Sequence, residues 1–233
     1  EIHCAVFKCA DTDRVWRFRK KESIINMLEK CTYLIMHNGI GYDVPLIKKL
    51  WDYEYKGKLL DTVLMSREIF KNIPIPEKMK EDYGGVNYWK EKYGKGVSLV
   101  SLTPCVDNEG RSVAVFSNGK QHEVISKPKK LDGPHSLAAW GYRLGRGKVE
   151  HEDWSVFTPE MMHRCVEDVE ITHLLYLHIL EKWDREAFPP QSVWLTMDFM
   201  KTISRQEKHG WKLDIPRCQR GVNRLEKWVG WID

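Results

Sequence analysis

Short β-prone runs at Ile2 to Cys9 and Val15 to Phe18, separated by Asp11-Thr12-Asp13, predict an antiparallel hairpin whose turn is made by acidic and hydroxyl side chains. Glu22 to Leu28 predicts a helix, with Ser23 as its cap and Ile24, Ile25 and Leu28 on its apolar face. Tyr33-Leu34-Ile35-Met36 is a short apolar run bounded by polar residues, the pattern of a buried strand, and it ends in His37-Asn38-Gly39. Asp43-Val44-Pro45 opens a helix, with Asp near the cap, Pro in the first turn and Leu46, Ile47 and Leu50 continuing the apolar face. Leu59 to Thr62 suits a strand and Val63 to Phe70 a helix. This order predicts an α/β fold: one mixed sheet covered by helices.

Residues 71–132 break the rhythm. They are rich in Lys, Gly, Pro and aromatic residues, and Val113 to Phe116, Asn118-Gly119 and Glu123 to Ile125 predict a hairpin within an inserted segment. Tyr83, Tyr88, Trp89 and Tyr93 give that segment the composition of a channel cover or docking surface, or of a plain surface excursion. Ser136 to Leu144 then suits a short helix. Thr158-Pro159-Glu160 is a strong start signal for a long one reaching about Lys182. Phe188-Pro189-Pro190 interrupts the chain before Ser192 to His209, a helix stopped by Gly210, and Asp214 to Trp231 forms the last. The expected organisation is one domain over 1–185, interrupted by the insertion, and a helical passage over 186–233.

With 42% hydrophobic and 30% charged residues among 233, the composition excludes a disordered chain. The formal net charge of +4 permits a polyanionic partner without requiring one. From Lys201 to Asp233 there are eight Lys or Arg against four Asp or Glu, so the end is more basic than the whole. No run approaches a membrane span, and the start lacks the pattern of a secretory signal, so an intracellular location is expected. The six cysteines are scattered without a C-x-x-C pair, and free thiols are expected. The chain opens on Glu1, directly inside a strand pattern, as if a segment preceded it.

His37-Asn38-Gly39-Ile40-Gly41-Tyr42-Asp43 carries more polarity than a strand end needs. Its glycines would let backbone approach a ligand closely, and Asp43 starts a helix beside a strand end, where open sheets bind ligands. An ordinary turn followed by an Asp cap accounts for the same residues. Asp168 lies within the long helix, flanked by Val166, Val169 and Ile171. Arg164, four residues earlier, shares its face, whereas His163 is about 140° away on a regular helix. A surface helix charge is the simpler reading of Asp168. Brought together, Asp43 and Asp168 would suit a hard divalent cation.

Four segments carry a resemblance: Leu34 to Pro45, Leu60-Asp61-Thr62-Val63-Leu64-Met65-Ser66-Arg67, Pro134 to Gly145, and Met161 to Thr172 around Asp168. In this order they resemble successive motifs of the 3'-5' exonuclease domain of Pol I-type (family A) DNA polymerases from short-tailed phages. Phe188-Pro189-Pro190 and Gln206 to Gly210 resemble the passage from that domain toward the polymerase domain; the insertion does not belong to the pattern. The resemblance implies a ribonuclease H-like mixed sheet flanked by helices, and removal of 3'-terminal nucleotides by two divalent ions, Mg2+ or Mn2+, held by four acids. Asp43 and Asp168 match two of these acids. The other two form an Asp-x-Glu on a first strand that the chain lacks, about ten residues before Glu1. The family places Tyr four residues before the last Asp, or His five before it, to orient water. Arg164 occupies the first position, and His163 fits the second. His37, Asn38 and Tyr42 are implied to meet a frayed 3' nucleotide.

Single-stranded DNA 3' ends, and other replication proteins, are the implied partners, in a phage-infected host. These 233 residues are expected to bind such ends without degrading them, for lack of the Asp-x-Glu. A stand-alone exonuclease of the same DEDD superfamily, acting on DNA or RNA, and a catalytically silent binding domain are the alternatives.

Overall fold

The computed structural model describes residues 1–105, 110–125, 132–146 and 155–232, so 106–109 and 126–131 of the expected insertion, and Asp233, lie outside the described residues. β1 (Ala5–Lys8) and β2 (Val15–Phe18) form the expected antiparallel hairpin, with Ala5 opposite Phe18 and Lys8 opposite Val15. Asp13 turns the chain in the left-handed region at φ 56°, a conformation that Asp tolerates better than most side chains. α1 (Lys21–Lys30) follows, and here the expected cap is corrected: Ser23 lies inside the first turn, and Lys20 holds the cap position without a side-chain hydrogen bond. Ile24 and Leu28 bury the helix against Leu34, with Phe7 and Phe18 around them.

β3 (Tyr33–Met36) pairs in parallel with β4 (Lys58–Asp61), setting Met36 beside Asp61, and α2 (Asp43–Trp51) makes the crossover. Asp43 opens α2 next to the cap, as expected, with Pro45 in the first turn. Tyr42 occupies the cap position and Asp43 is the first helical residue. Thr62, expected to end a strand, instead begins α3 (Thr62–Ile69), because the Asp61 side chain caps that helix by accepting from the Val63 N–H.

The expected single mixed sheet is corrected: among the described residues the antiparallel β1–β2 hairpin and the parallel β3–β4 pair are two separate two-stranded sheets. With strands only four residues long, the hairpin and the β3–β4 pair associate through side chains: Ala5, Phe7, Phe18 and Met36 gather around the core formed by Ile24, Leu28 and Leu34.

The insertion holds more than a hairpin. α4 (Glu77–Tyr83) and α5 (Gly85–Tyr93) precede an antiparallel sheet of β5 (Leu99–Pro104), β6 (Arg111–Phe116) and β7 (Gln121–Ile125). The expected Asn118-Gly119 turn joins β6 to β7, with Gly119 at φ 78°. Trp89 of α5 stacks on His122 at 3.4 Å between ring centroids and packs with Ala114, Phe116 and Val124. Met79 of α4 seals Ala138 and Ala139 of α6 (Leu137–Arg143), whose cap, Ser136, accepts from the Ala139 N–H.

α7 (Pro159–Glu186) starts as the sequence predicts, Thr158 Oγ1 accepting from the Met161 N–H at 3.2 Å. Its Ile171, Leu175 and Ile179, spaced by four, are fully buried, and each contributes about 1.5–3 kcal/mol of burial. They join Ile40, Leu64, Met65, Trp140 and, from α8 (Pro190–His209), Val193 and Met197 in the main core. The other side of α7 lies against β1 and β3. Gly210, at φ 69°, ends α8, and α9 (Ile215–Ile232) follows. All six cysteines are free thiols. Among the described residues no helix is long and apolar enough to cross a membrane.

Candidate active site

The segment from His37 to Asp43 is held in place by a residue 18 positions beyond it. Asp61 is buried, and its Oδ1 accepts from the Asn38 N–H at 2.9 Å and the Val63 N–H at 3.0 Å, while Oδ2 accepts from the Ile40 N–H at 3.1 Å. One carboxylate therefore ties the loop leaving β3 to the helix leaving β4. Burial raises the Asp61 pKa, against the pull of those N–H groups. In the sequence Asp61 stands out only as part of the Leu60 to Arg67 segment; the structure makes it the organiser of the loop.

Thr62 adds a second tie. Its hydroxyl donates to the Met36 carbonyl at 3.2 Å, so the contact of 2.9 Å with His37 Nδ1 has the ring donating. Asn38 sits at φ 63°, exposed. Gly39 is required by close packing rather than by a ligand: a Cβ there would lie 2.5 Å from Met36 Cβ. At Gly41 a Cβ would lie 2.8 Å from Asn38 Oδ1. Tyr42 is 63% exposed, a large aromatic face given to solvent.

Asp43 is partly buried at the N-terminus of α2. Desolvation pushes its pKa up to about 6, its own backbone N–H opposes this, and the charge of Asp61 adds to the rise. A carboxyl with such a pKa beside a second carboxyl is a recurring feature of functional sites, and also of buried acid pairs.

The second group stands on α7. Arg164 Nε lies 3.9 Å from Asp168 Oδ2, the pairing expected from their i, i+4 spacing, with the arginine side chain 17% and the aspartate 32% exposed. Asp168 is thus half-buried and not a freely solvated helix charge. His163 is exposed on the same regular helix, away from the Asp168 face, and the structure does not bring it to Asp168. Glu167, the residue before Asp168, accepts from Arg146 Nη1 at 3.0 Å. Ile40 of the loop and Ile171, one turn beyond Asp168, lie in the same core cluster.

Among the described residues no group of three or more His, Cys, Asp or Glu side chains is disposed to hold a metal ion. Two carboxylates do not fit a pair of divalent ions, which need several anchoring acids.

A third histidine contact was not expected from the sequence. Ser66 Oγ donates to the Val63 carbonyl at 2.9 Å and receives the His135 Nδ1 proton at 3.0 Å, tying the segment before α6 to α3. Burial, then Arg67 and Arg143, lower the His135 pKa.

No protein-family model matches the chain. It is 24% identical to the DNA-directed DNA polymerase of Escherichia phage T7, over 82% of this chain, and 26% identical to that of Enterobacteria phage T3, over 68%. The match covers 25% and 20% of those two proteins, so the chain spans about a quarter of their length or less. The similarity relates this chain to a region of phage DNA polymerases.

Proposed function

We propose that the chain is the 3'-5' proofreading exonuclease region of a phage-type DNA polymerase, with the site built on the His37–Asp43 loop and the Asp168 turn of α7. The observation that carries this reading is that two of the four segments that resemble the family's motifs, Leu34 to Pro45 and Met161 to Thr172, are anchored in one core, through Ile40 and Ile171. The polymerase similarity over most of the chain supports it.

In this reading Asp43 and Asp168 are two of the site's acids, and the two divalent ions require acids beyond them. Tyr42 offers a stacking face for the terminal base, and Asn38 and His37 are the polar side chains of the same loop that would meet the terminal nucleotide. Asp61 holds the loop that presents them. His163 stands exposed on α7, and Arg164 lies beside Asp168.

The test is complementation. The 233 residues, supplied with magnesium or manganese and a 5'-labelled single strand, should bind it without shortening it. The same chain joined to an added N-terminal strand carrying Asp-x-Glu should release nucleotides from the 3' end, and Asp43→Asn or Asp168→Asn should abolish that release. Release that persists in both variants would overturn the assignment.

A further inference from the structure

Beyond Gly210 the chain leaves the core. Every described residue from Trp211 to Trp231 is exposed, and α9 is capped by Asp214, whose Oδ1 accepts from the Arg217 N–H at 3.0 Å. The charge is concentrated here: the excess of four basic residues from Lys201 to Asp233 equals the formal net charge of the whole protein. On α9 that charge is segregated. At 3.6 residues per turn, Arg217, Arg220, Arg224 and Lys227 fall within an arc of about 80° running about 15 Å along the helix. Trp231 lies inside this arc and Trp228 at its border, 90% and 64% exposed. Ile215, Cys218, Val222, Leu225 and Val229 take the opposite side. Glu226 is outside the basic arc, and among the described residues none of the four cations is paired with a carboxylate.

We propose that this basic, indole-bearing stripe of α9 is a binding surface for single-stranded DNA, separate from the candidate active site. Unpaired cations in a row attract a polyphosphate, and each phosphate neutralised releases counterions. Exposed indoles beside them supply stacking faces that accept any base. The position of the tryptophans decides between two polyanions. A helix built to lie on an anionic membrane carries its aromatic residues on the apolar face, with cations opposite; in α9 the indoles stand with the cations. The choice of DNA rests on the proposed function above.

The experiment uses the full chain and a fluorescein-labelled (dT)20, with anisotropy recorded from 50 to 200 mM salt. Arg220→Glu with Arg224→Glu should weaken binding at least tenfold at low salt and make the salt slope shallower by about 1.4, since each phosphate contact on a single strand contributes about 0.7. Arg220→Lys with Arg224→Lys should keep affinity within about threefold, which controls for folding together with unchanged circular dichroism. Trp228→Ala with Trp231→Ala should weaken binding severalfold without altering the slope. Unchanged affinity in the charge-reversed protein would overturn the proposal, as would tighter binding to vesicles of anionic lipid than to (dT)20. Asn38→Ala with Tyr42→Ala separates the two sites. If that pair removes the preference for a 3' end while the α9 variants change nothing, the α9 surface fails and the active-site reading stands. If the α9 variants weaken binding while the loop pair has no effect, the α9 surface stands and the loop assignment fails.

Discussion

Lys8 at the end of β1 holds Glu170 of α7 with both carboxylate oxygens, at 2.8 and 3.0 Å from its Nζ, across 162 residues of chain. The same ammonium reaches Asp13 in the hairpin turn at 3.0 Å. The hairpin is thereby stapled to the helix two residues from Asp168, which fixes the face that α7 turns toward β1. Burial acts to lower the Lys8 pKa, and the hydrogen bonds and charges of Glu170 and Asp13 outweigh it, leaving it raised. Glu170→Gln should cost about 2 kcal/mol, measured by urea denaturation at pH 8. The stabilisation from the raised pKa is complete below the unfolded lysine value and is lost as pH rises through the folded one.

Asp43 makes the opposite kind of contribution. Its carboxyl is desolvated and titrates near 6, above the ordinary 3.8, so the folded state holds a proton that the unfolded chain has released. This contribution favours the fold below pH 3.8 and is lost as pH rises through about 6. Asp43→Asn should raise stability at pH 7 by about 2 kcal/mol and have little effect at pH 3.5. Thermal melts at the two pH values check it. A substitution that stabilises the fold and abolishes function marks a strained functional acid.

Asp61→Ala should release the loop. It leaves the Asn38, Ile40 and Val63 N–H groups without the acceptor they share, at about 3 kcal/mol. Amide hydrogen exchange at Asn38 and Ile40 should accelerate more than at Leu175, in the centre of the main core. Single-stranded DNA affinity should fall with it.

The insertion is knitted into the body through α4. Tyr142 donates to Asp82 at 2.8 Å, Arg143 donates to the Pro74 carbonyl, and Met79 covers Ala138 and Ala139. Met79→Ala should therefore cost about 2–4 kcal/mol and lower the melting temperature of the whole protein, whereas Val100→Ser, on an exposed position of β5, should change it little.

Where a signal is local, the sequence showed it. Thr158-Pro159 began α7, Gly210 ended α8 and Asn118-Gly119 turned a hairpin, because each device works within four residues. Ser23 failed as a cap because Lys20 already occupied that position one turn earlier. α4 and α5 went unread because Gly84-Gly85 interrupts any helical period between 77 and 93. The role of Asp61 was illegible for a different reason: an acid after Leu59-Leu60 looks like a strand end, and its partners at 38 and 40 appear only when β3 and β4 pair. The candidate site showed the same split. The loop and Asp168 were visible as motifs, the Arg164 pairing followed from spacing, and the exposure of His163 needed the helix to be placed.

In the proposed function a 3' terminus is received between the His37–Asp43 loop and the Asp168 turn of α7. The direct measurement is photocross-linking of the 233-residue chain to a single strand ending in 4-thiothymidine, with adducts mapped by mass spectrometry. Adducts in the peptides holding Asn38 to Asp43 and Met161 to Thr172, reduced by Tyr42→Ala and absent when the thiobase is moved ten nucleotides inward, are the predicted result. Adducts from the terminal base that fall only on the β5–β7 sheet or on α9, with none in either segment, would contradict it.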